Sequence, residues 1–173
     1  MTKSPKIPEF LVALLVEDHP GVTMKIAGMF ARRGINLTSF TGASSEKKGF
    51  SRIIMKAEGD SKVFEQIYKQ MNKLIEVVKV KIIQPEYATM RELALVKVAI
   101  RDEKDRQAVM SLNDIFRNRV IDITTKSITV EIVGSSDKID SFVSLVGERV
   151  QVRELARSGT IALYRGEDSI FLD

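Results

Sequence analysis

The sequence predicts an α+β fold in which one order of elements, β-α-β-β-α-β, occurs twice in tandem. Apolar residues switch between strand and helix periodicity, and turn-forming residues separate the periodic segments. The order of elements also repeats with a period of about 80 residues, although the residues themselves do not repeat. We therefore predict two domains, over residues 8–85 and 90–167.

The first predicted domain opens with the apolar strand Phe10–Val16, and the turn at Pro20-Gly21 follows it. A helix over Val22–Arg33 comes next, because its apolar residues recur at helical spacing, and Gly34 ends it. Two strands follow, Ile35–Ser44 and Phe50–Ala57, and then a helix that begins at Asp60-Ser61. The last strand is Glu76–Ile83, with Val78, Val80 and Ile82 on one face.

The second predicted domain repeats that order, so both domains are expected to be ferredoxin-like units with right-handed crossovers. Its elements are Leu93–Ile100, a helix over Asp102–Arg117, Val120–Thr124, Ser127–Val133, a helix over Ser136–Gly147, Val150–Ala156 and a further candidate strand at Thr160–Tyr164. In the first of these helices we expect the inward side chains to be Val109, Leu112, Ile115 and Phe116.

The strand Phe10–Val16 is apolar at both odd and even positions. Both of its faces should therefore avoid water, although helices cover only one face of a ferredoxin-like sheet. We expect the second domain or another subunit to cover the other face, with oligomerisation as the expected solution.

The composition argues against an enzyme. The chain has no Cys and one histidine, His19, which excludes disulfides, thiolate zinc sites and multi-histidine metal clusters. Its 10 glycines occur singly, so the sequence has no glycine-rich phosphate loop. We predict a chain without catalytic residues, metal or cofactor of its own.

The length of the apolar runs argues against a membrane protein. The longest, Phe10–Val16, has 7 residues, whereas a span needs about 18. Met1–Pro8 lacks the apolar region of a signal peptide. A cytoplasmic, soluble chain is expected.

The basic pI of 9.3 suggests nucleic acid, but the distribution of charge does not. Residues 1–88 hold 14 Lys+Arg and 9 Asp+Glu, and residues 89–173 hold 13 and 14. The excess is scattered, with no basic run longer than the pairs Arg32–Arg33 and Lys47–Lys48. We predict a solvated basic surface and no nucleic-acid partner.

The candidate binding site is the loop Asp18-His19-Pro20-Gly21 with Val22 and, further along, Asn36. Free amides at the helix start suit a carboxylate, Asp18 suits an ammonium group, and Asn36 both donates and accepts. Together they suit an α-amino acid. The alternative is that Asp18 caps the helix, Gly21 makes the turn and Asn36 begins a strand. His19 is either a ligand contact or an exposed loop residue.

Two other polar segments have structural interpretations. Asp102-Glu103-x-Asp105 opens a helix and is expected to be surface matched to the helix dipole, not a metal site. Gly134-Ser135-Ser136-Asp137 is expected to supply a serine N-cap in preference to an anion site.

The loop residues Asp18-x-Pro20-Gly21-Val22, with Phe30 and Gly34-Ile35-Asn36-Leu37, resemble the signature of the ACT domain, a module that binds amino acids. Three later segments are similar to the small regulatory subunit of acetolactate synthase: Arg91–Val98, Ile121–Thr124, and Glu154–Gly159 with Arg165-Gly166. The resemblance runs from about Phe10 to Gly166, nearly the whole chain.

The resemblance implies a noncatalytic subunit in branched-chain amino acid (valine, leucine, isoleucine) biosynthesis. In that family the large catalytic subunit carries thiamine diphosphate, magnesium and usually FAD, and condenses pyruvate with pyruvate or 2-oxobutyrate. The small subunit activates it and transmits feedback inhibition by a branched-chain amino acid, usually valine.

The family also implies a homodimer through the ACT domains, with the effector between a Pro-Gly loop of one chain and an Asn-bearing strand of the other. Carried onto this sequence, the effector-binding residues are Asp18, His19, Pro20, Gly21, Val22 and Asn36, with Ile35 and Leu37 as weaker neighbours. Bacterial members often have Asn where this chain has Asp18, and the extra carboxylate favours an ammonium group. The alternative is a stand-alone tandem-ACT amino-acid sensor or transcriptional regulator, which the basic pI favours.

Overall fold

The computed structural model describes residues 8–167 and residue 169. The helices are α1 (Val22–Ala31), α2 (Ser61–Met71), α3 (Glu103–Phe116) and α4 (Ser136–Gly147). The strands are β1 (Glu9–Glu17), β2 (Asn36–Ser44), β3 (Phe50–Glu58), β4 (Val77–Ile82), β5 (Ala88–Ala99), β6 (Arg119–Ile123), β7 (Ser127–Gly134), β8 (Val152–Arg157) and β9 (Ile161–Tyr164). The predicted α+β fold with a repeated β-α-β-β-α-β order is confirmed.

The chain divides into two compact units. The first unit runs to Thr89 and takes in the residues from Thr160 onward, and the second is Met90–Gly159. Their sheets have the strand orders β2-β3-β1-β4 and β6-β7-β5-β8, and β9 pairs with β5. The division differs from the predicted domain 90–167, because the chain returns to the first unit at Thr160.

The core of the first unit lies between its sheet and helices α1 and α2. Three even-numbered residues of β1 are fully or almost fully buried there against side chains of both helices: Val12, Leu14 and Val16, with Ile26 and Phe30 from α1 and Ile67 and Met71 from α2. The rings of Phe10 and Phe64 stack at its edge, with centroids 3.9 Å apart. These contacts position the first turn of α1 against the end of β1.

The opposite face of this sheet is covered by residues Thr160–Tyr164, which we call the strap. The Thr160 amide donates to Ser39 Oγ on β2 (3.1 Å), and the Tyr164 hydroxyl donates to the Ile82 carbonyl on β4 (3.4 Å). Because β2 and β4 are the two outer strands of the sheet, the strap crosses it from edge to edge.

Burial agrees with that path. Ala162 in the middle of the strap is 4% exposed. The sheet residues outside the helix-side core are buried as well: Leu11, Ala13 and Leu15 on β1 and Ile54 on β3. The expectation that oligomerisation covers this face is therefore wrong, since the chain covers it with its own strap.

The second unit has a core of the same kind and, at one edge, an ion-pair cluster around a buried carboxylate. Glu92 on β5 is 5% exposed and accepts two bonds from the Arg157 guanidinium on β8, at 2.6 and 2.8 Å. Arg157 also donates to Asp140 (2.6 Å), and Ser136 donates to Glu92 (2.9 Å). The bond to Glu92 raises the pKa of Arg157 above its ordinary value. The cluster ties β5, β8 and α4 together.

Two predicted side-chain directions are wrong. Ile115 is 73% exposed, because Val109 and Asn113 centre the buried face of α3 and Ile115 lies well off that face. Val78 is 51% exposed, because the register between β1 and β4 shifts between Leu15 and Val16. Such a bulge reverses the expected alternation of side chains.

Candidate functional site

A cavity of about 340 Å³ lies where β1 ends and α1 begins, next to the strands β2 and β3. Its walls combine carboxylates, backbone and apolar side chains. The lining residues are Val16, Glu17, Asp18, His19, Val22, Thr23, Phe40, Gly42, Ala43, Ser51 and Ile53.

The first turn of α1 is open to an anion. Gly21 is the N-cap, with φ +96°, and no side chain caps the helix or adds an acid to its first turn. The other three helices have side-chain caps, from Asp60, Asp102 and Ser135. The amides at the start of α1 have no acceptor within the helix and can donate to a carboxylate.

This geometry excludes one of the two interpretations of Asp18. Its side chain makes no cap hydrogen bond to α1, so the interpretation of Asp18 as a cap is wrong. In the part of the chain that the structure describes, its carboxylate has no hydrogen-bond or ion-pair partner, and it lines the cavity. The serine cap predicted at Ser135 is confirmed, because Ser135 Oγ accepts from the Lys138 amide.

Backbone hydrogen bonds hold the start of the loop. The Asp18 amide donates to the Gly49 carbonyl (3.0 Å), and the Glu17 amide donates to the Glu76 carbonyl (2.9 Å). Lys25 of α1 donates to the Glu76 carboxylate, and this bond lowers the pKa of Glu76. The loop is therefore fixed to its neighbours without using the amides at the start of α1.

His19 lies at the mouth of the cavity. Its Nδ1 is 3.2 Å from the Pro20 carbonyl oxygen, and its Nε2 is 3.4 Å from Glu17 Oε2. Both side chains are 47% exposed. His19 is therefore a loop residue tied to its neighbours and, at the same time, part of the cavity wall.

The structure adds lining residues that the sequence analysis missed. The apolar wall includes Phe40 and Ile53, and Gly42 lies opposite Ile53 in the β2–β3 register. A signal existed: the short connection between the predicted strands Ile35–Ser44 and Phe50–Ala57 fixes which residues of the two strands face each other. Following that register to the end of β1 would have identified this wall.

Asn36 lies elsewhere. It pairs with Glu58 on β3, which also pairs with Glu9 at the start of β1, whereas Glu17 at the end of β1 pairs with Phe50. Eight residues along a strand correspond to about 26 Å. Asn36 and its neighbours Ile35 and Leu37 therefore do not reach the cavity of their own chain, and Ile35 and Leu37 pack on the core.

The arrangement suits a small zwitterion. The amides of the first turn of α1 can bind a carboxylate, the Asp18 and Glu17 carboxylates an ammonium group, and the apolar wall an aliphatic side chain. Within residues 8–167 and 169, no three His, Asp or Glu side chains come together as metal ligands. None of the described helices combines the length and the apolar character that crossing a membrane requires.

The acids that open α3 have structural roles. Asp102 accepts from the Asp105 amide as the N-cap, at 2.9 Å. Asp105 is not solvated surface as expected: it is 7% exposed and binds the Arg101 guanidinium with both oxygens.

The fold of the first unit and its Pro-Gly loop define an ACT domain. Residues 12–79 match the protein family described as "AHAS small subunit-like ACT domain". Residues 91–166 match the family described as "Small subunit of acetolactate synthase". The chain thus belongs to the family of acetolactate synthase small subunits.

Individual relatives agree with this membership. The chain is 42% identical over 156 residues to the probable acetolactate synthase small subunit of Methanothermobacter thermautotrophicus, covering 90% of this chain and 92% of the relative. It is 36% identical to the acetolactate synthase small subunit of Haemophilus influenzae, covering 92% and 98%. The crystal structure of the acetolactate synthase small subunit from Thermotoga maritima superposes with a TM-score of 0.83 at 43% identity, covering 94% of this chain and all of that one.

Proposed function

We propose that this chain is a noncatalytic regulatory subunit that activates the acetolactate synthase catalytic subunit and confers feedback inhibition by a branched-chain amino acid. Valine is the effector that we propose. Family membership supports the role, and one observation supports the effector: the uncapped amides of α1 adjoin the free Asp18 carboxylate in a cavity with an apolar wall. The condensation belongs to the partner, where thiamine diphosphate, magnesium and FAD are expected. We place this complex in the cytoplasm.

The proposed binding mode assigns each part of the effector to a group in the cavity. Its carboxylate accepts hydrogen bonds from the backbone amides near Val22 and Thr23, and its ammonium group contacts the Asp18 carboxylate. A branched aliphatic side chain contacts Phe40 and Ile53.

The position of Asn36 supports a site made by two chains. Asn36 lies about 26 Å along the sheet from the loop of its own chain, too far for one amino acid to contact both. If both bind the effector, Asn36 comes from a second copy. We therefore propose a homodimer through the ACT domains, with the loop of one chain facing the β2 of the other.

The function is tested with the cognate catalytic subunit. Adding this chain should raise acetolactate formation from pyruvate, and valine should then lower it. Titration calorimetry with valine, leucine and isoleucine identifies the effector. Failure to associate with the catalytic subunit or to change its rate would overturn the regulatory role. Recovery of DNA in place of the synthase in a pull-down would favour a transcriptional regulator.

Gly42→Val should weaken effector binding without unfolding the chain. A Cβ at Gly42 would meet Ile53 Cγ1 and Phe40 Cε1 at 3.7 Å, an ordinary contact, so alanine fits at this position and the two further methyl groups of valine take up cavity space beside the apolar wall. We expect at least a tenfold loss in valine affinity by calorimetry, about 1.4 kcal/mol. Gly42→Ala is the graded control and should have a smaller effect. Unchanged affinity in Gly42→Val would show that the effector side chain lies elsewhere.

A further inference from the structure

The second unit has a cavity of its own, outside the candidate effector site. Its volume is about 360 Å³, within the range of small-ligand pockets. It lies between the end of β5, the turn from α4 to β8 and the start of β8. The lining residues are Ala99, Ile100, Arg101, Gly147, Glu148, Arg149, Val150, Gln151 and Arg153.

One guanidinium in this cavity is held in a fixed orientation. The buried Asp105 carboxylate accepts from Arg101 Nε (2.8 Å) and Nη2 (2.9 Å), and Nη2 also lies 3.4 Å from the Arg149 carbonyl oxygen. This ion pair raises the pKa of Arg101 and lowers that of Asp105. Arg101 Nη1 has no acceptor in the part of the chain that the structure describes. A preorganised donor of this kind loses little freedom on binding.

Two further guanidinium groups line this cavity. Neither the Arg149 nor the Arg153 side chain makes a hydrogen bond or an ion pair within the described residues. Asp105 balances the charge of Arg101, and Glu148 in the wall offsets one more guanidinium. The cavity keeps an excess of positive charge and several N–H donors without acceptors. Like charges gathered in this way repel unless an anion joins them.

We propose that this cavity binds a phosphoryl group of a small metabolite. A guanidinium group can donate two N–H hydrogen bonds to two phosphate oxygens. In the proposed site Arg149 and Arg153 bind the phosphate in this way, and Arg101 Nη1 donates to a third position. The Gln151 amide lies in the same wall and can donate as well. The site belongs wholly to the second unit and does not depend on the function proposed above.

Calorimetric titration of the full chain with sodium diphosphate and with inorganic phosphate tests this site. Ionic strength is held constant, because exposed arginines attract any anion at low salt. We expect saturable binding that falls at least tenfold in Arg149→Gln and in Arg153→Gln. Arg119→Gln, an exposed arginine on β6 outside the cavity, is the matched control and should bind as the unaltered chain does. Tighter binding of diphosphate indicates an extended ligand, and equal binding indicates a single phosphoryl group.

Two results would overturn the proposal. One is the absence of saturable binding of both probes to the unaltered chain. The other is an equal loss in Arg119→Gln and the cavity variants, which would show nonspecific attraction to a basic surface. The substituted arginines are exposed, so circular dichroism should show an unchanged fold and make any loss of binding interpretable.

Discussion

Mixing Gly21→Val chains with Asn36→Ala chains should restore valine binding that neither variant has alone. Gly21 caps α1 at φ +96°, where a β-branched residue is strained by about 1–2 kcal/mol and would displace the loop. Asn36→Ala removes the polar contact proposed from the other chain. A mixed dimer contains one chain of each variant and has two sites, each made of the loop of one chain and Asn36 of the other. In one site the loop of the Asn36→Ala chain, which is intact, faces the intact Asn36 of the Gly21→Val chain. In the other site both parts are altered.

Calorimetry measures this restoration directly. After unfolding and refolding together in equal amounts, about one site in four should bind valine, because half of the dimers are mixed and each of these has one intact site. Gly166→Val is the matched control: it places a similar strain, at φ +71°, outside both the Pro-Gly loop and β2, and should keep valine binding. If the mixture binds no more than the separate variants, the loop and Asn36 do not share a site across two chains.

Ending the chain after Gly159 should destabilise the first unit severely. The strap is lost, and Leu11, Leu15 and Ile54 on the outer face of the sheet lose their cover. Burying each such side chain stabilises by about 1.5–3 kcal/mol, so the loss is on the order of 5 kcal/mol. That is a large part of the stability of an ordinary domain. Urea unfolding followed by circular dichroism measures it.

The matched control for this truncation ends after Gly166. It keeps the bonds of Thr160 to Ser39, Tyr164 to Ile82 and Arg165 to Tyr87, so its unfolding midpoint should stay close to that of the full chain. If the chain that ends after Gly159 were as stable as this control, the strap would not be what covers the sheet.

Much of the fold could be predicted because it rests on local periodicity. The order of strands and helices, the end of α1 shortly before Gly34 and the serine cap at Ser135 all follow from residues close in sequence. The path of the strap could not be predicted in this way. Five residues that cross a sheet 82 to 121 positions earlier in the chain leave only weak alternation as a signal, and the doubly apolar β1 showed that a cover was needed without showing which one.

The candidate site was predictable to a similar degree. Asp18, His19 and Val22 line the cavity and are adjacent in sequence, whereas Phe40, Gly42 and Ile53 reach it through strand pairing. Asn36 could not be placed from spacing alone, because which end of the sheet a residue occupies depends on strand direction. That the amides at the start of α1 are uncapped could only be learned from the structure, since a nearby Asp18 is equally able to cap a helix.

The strap also has a consequence for synthesis. Domains generally fold in the order in which they leave the ribosome, with the N-terminal one first. Here Thr160–Tyr164 emerge after the whole of Met90–Gly159, although they complete the unit that began with β1. The second unit has all of its residues available while the first still exposes one apolar face of its sheet, so the first unit, which we propose binds the effector, is completed after the second.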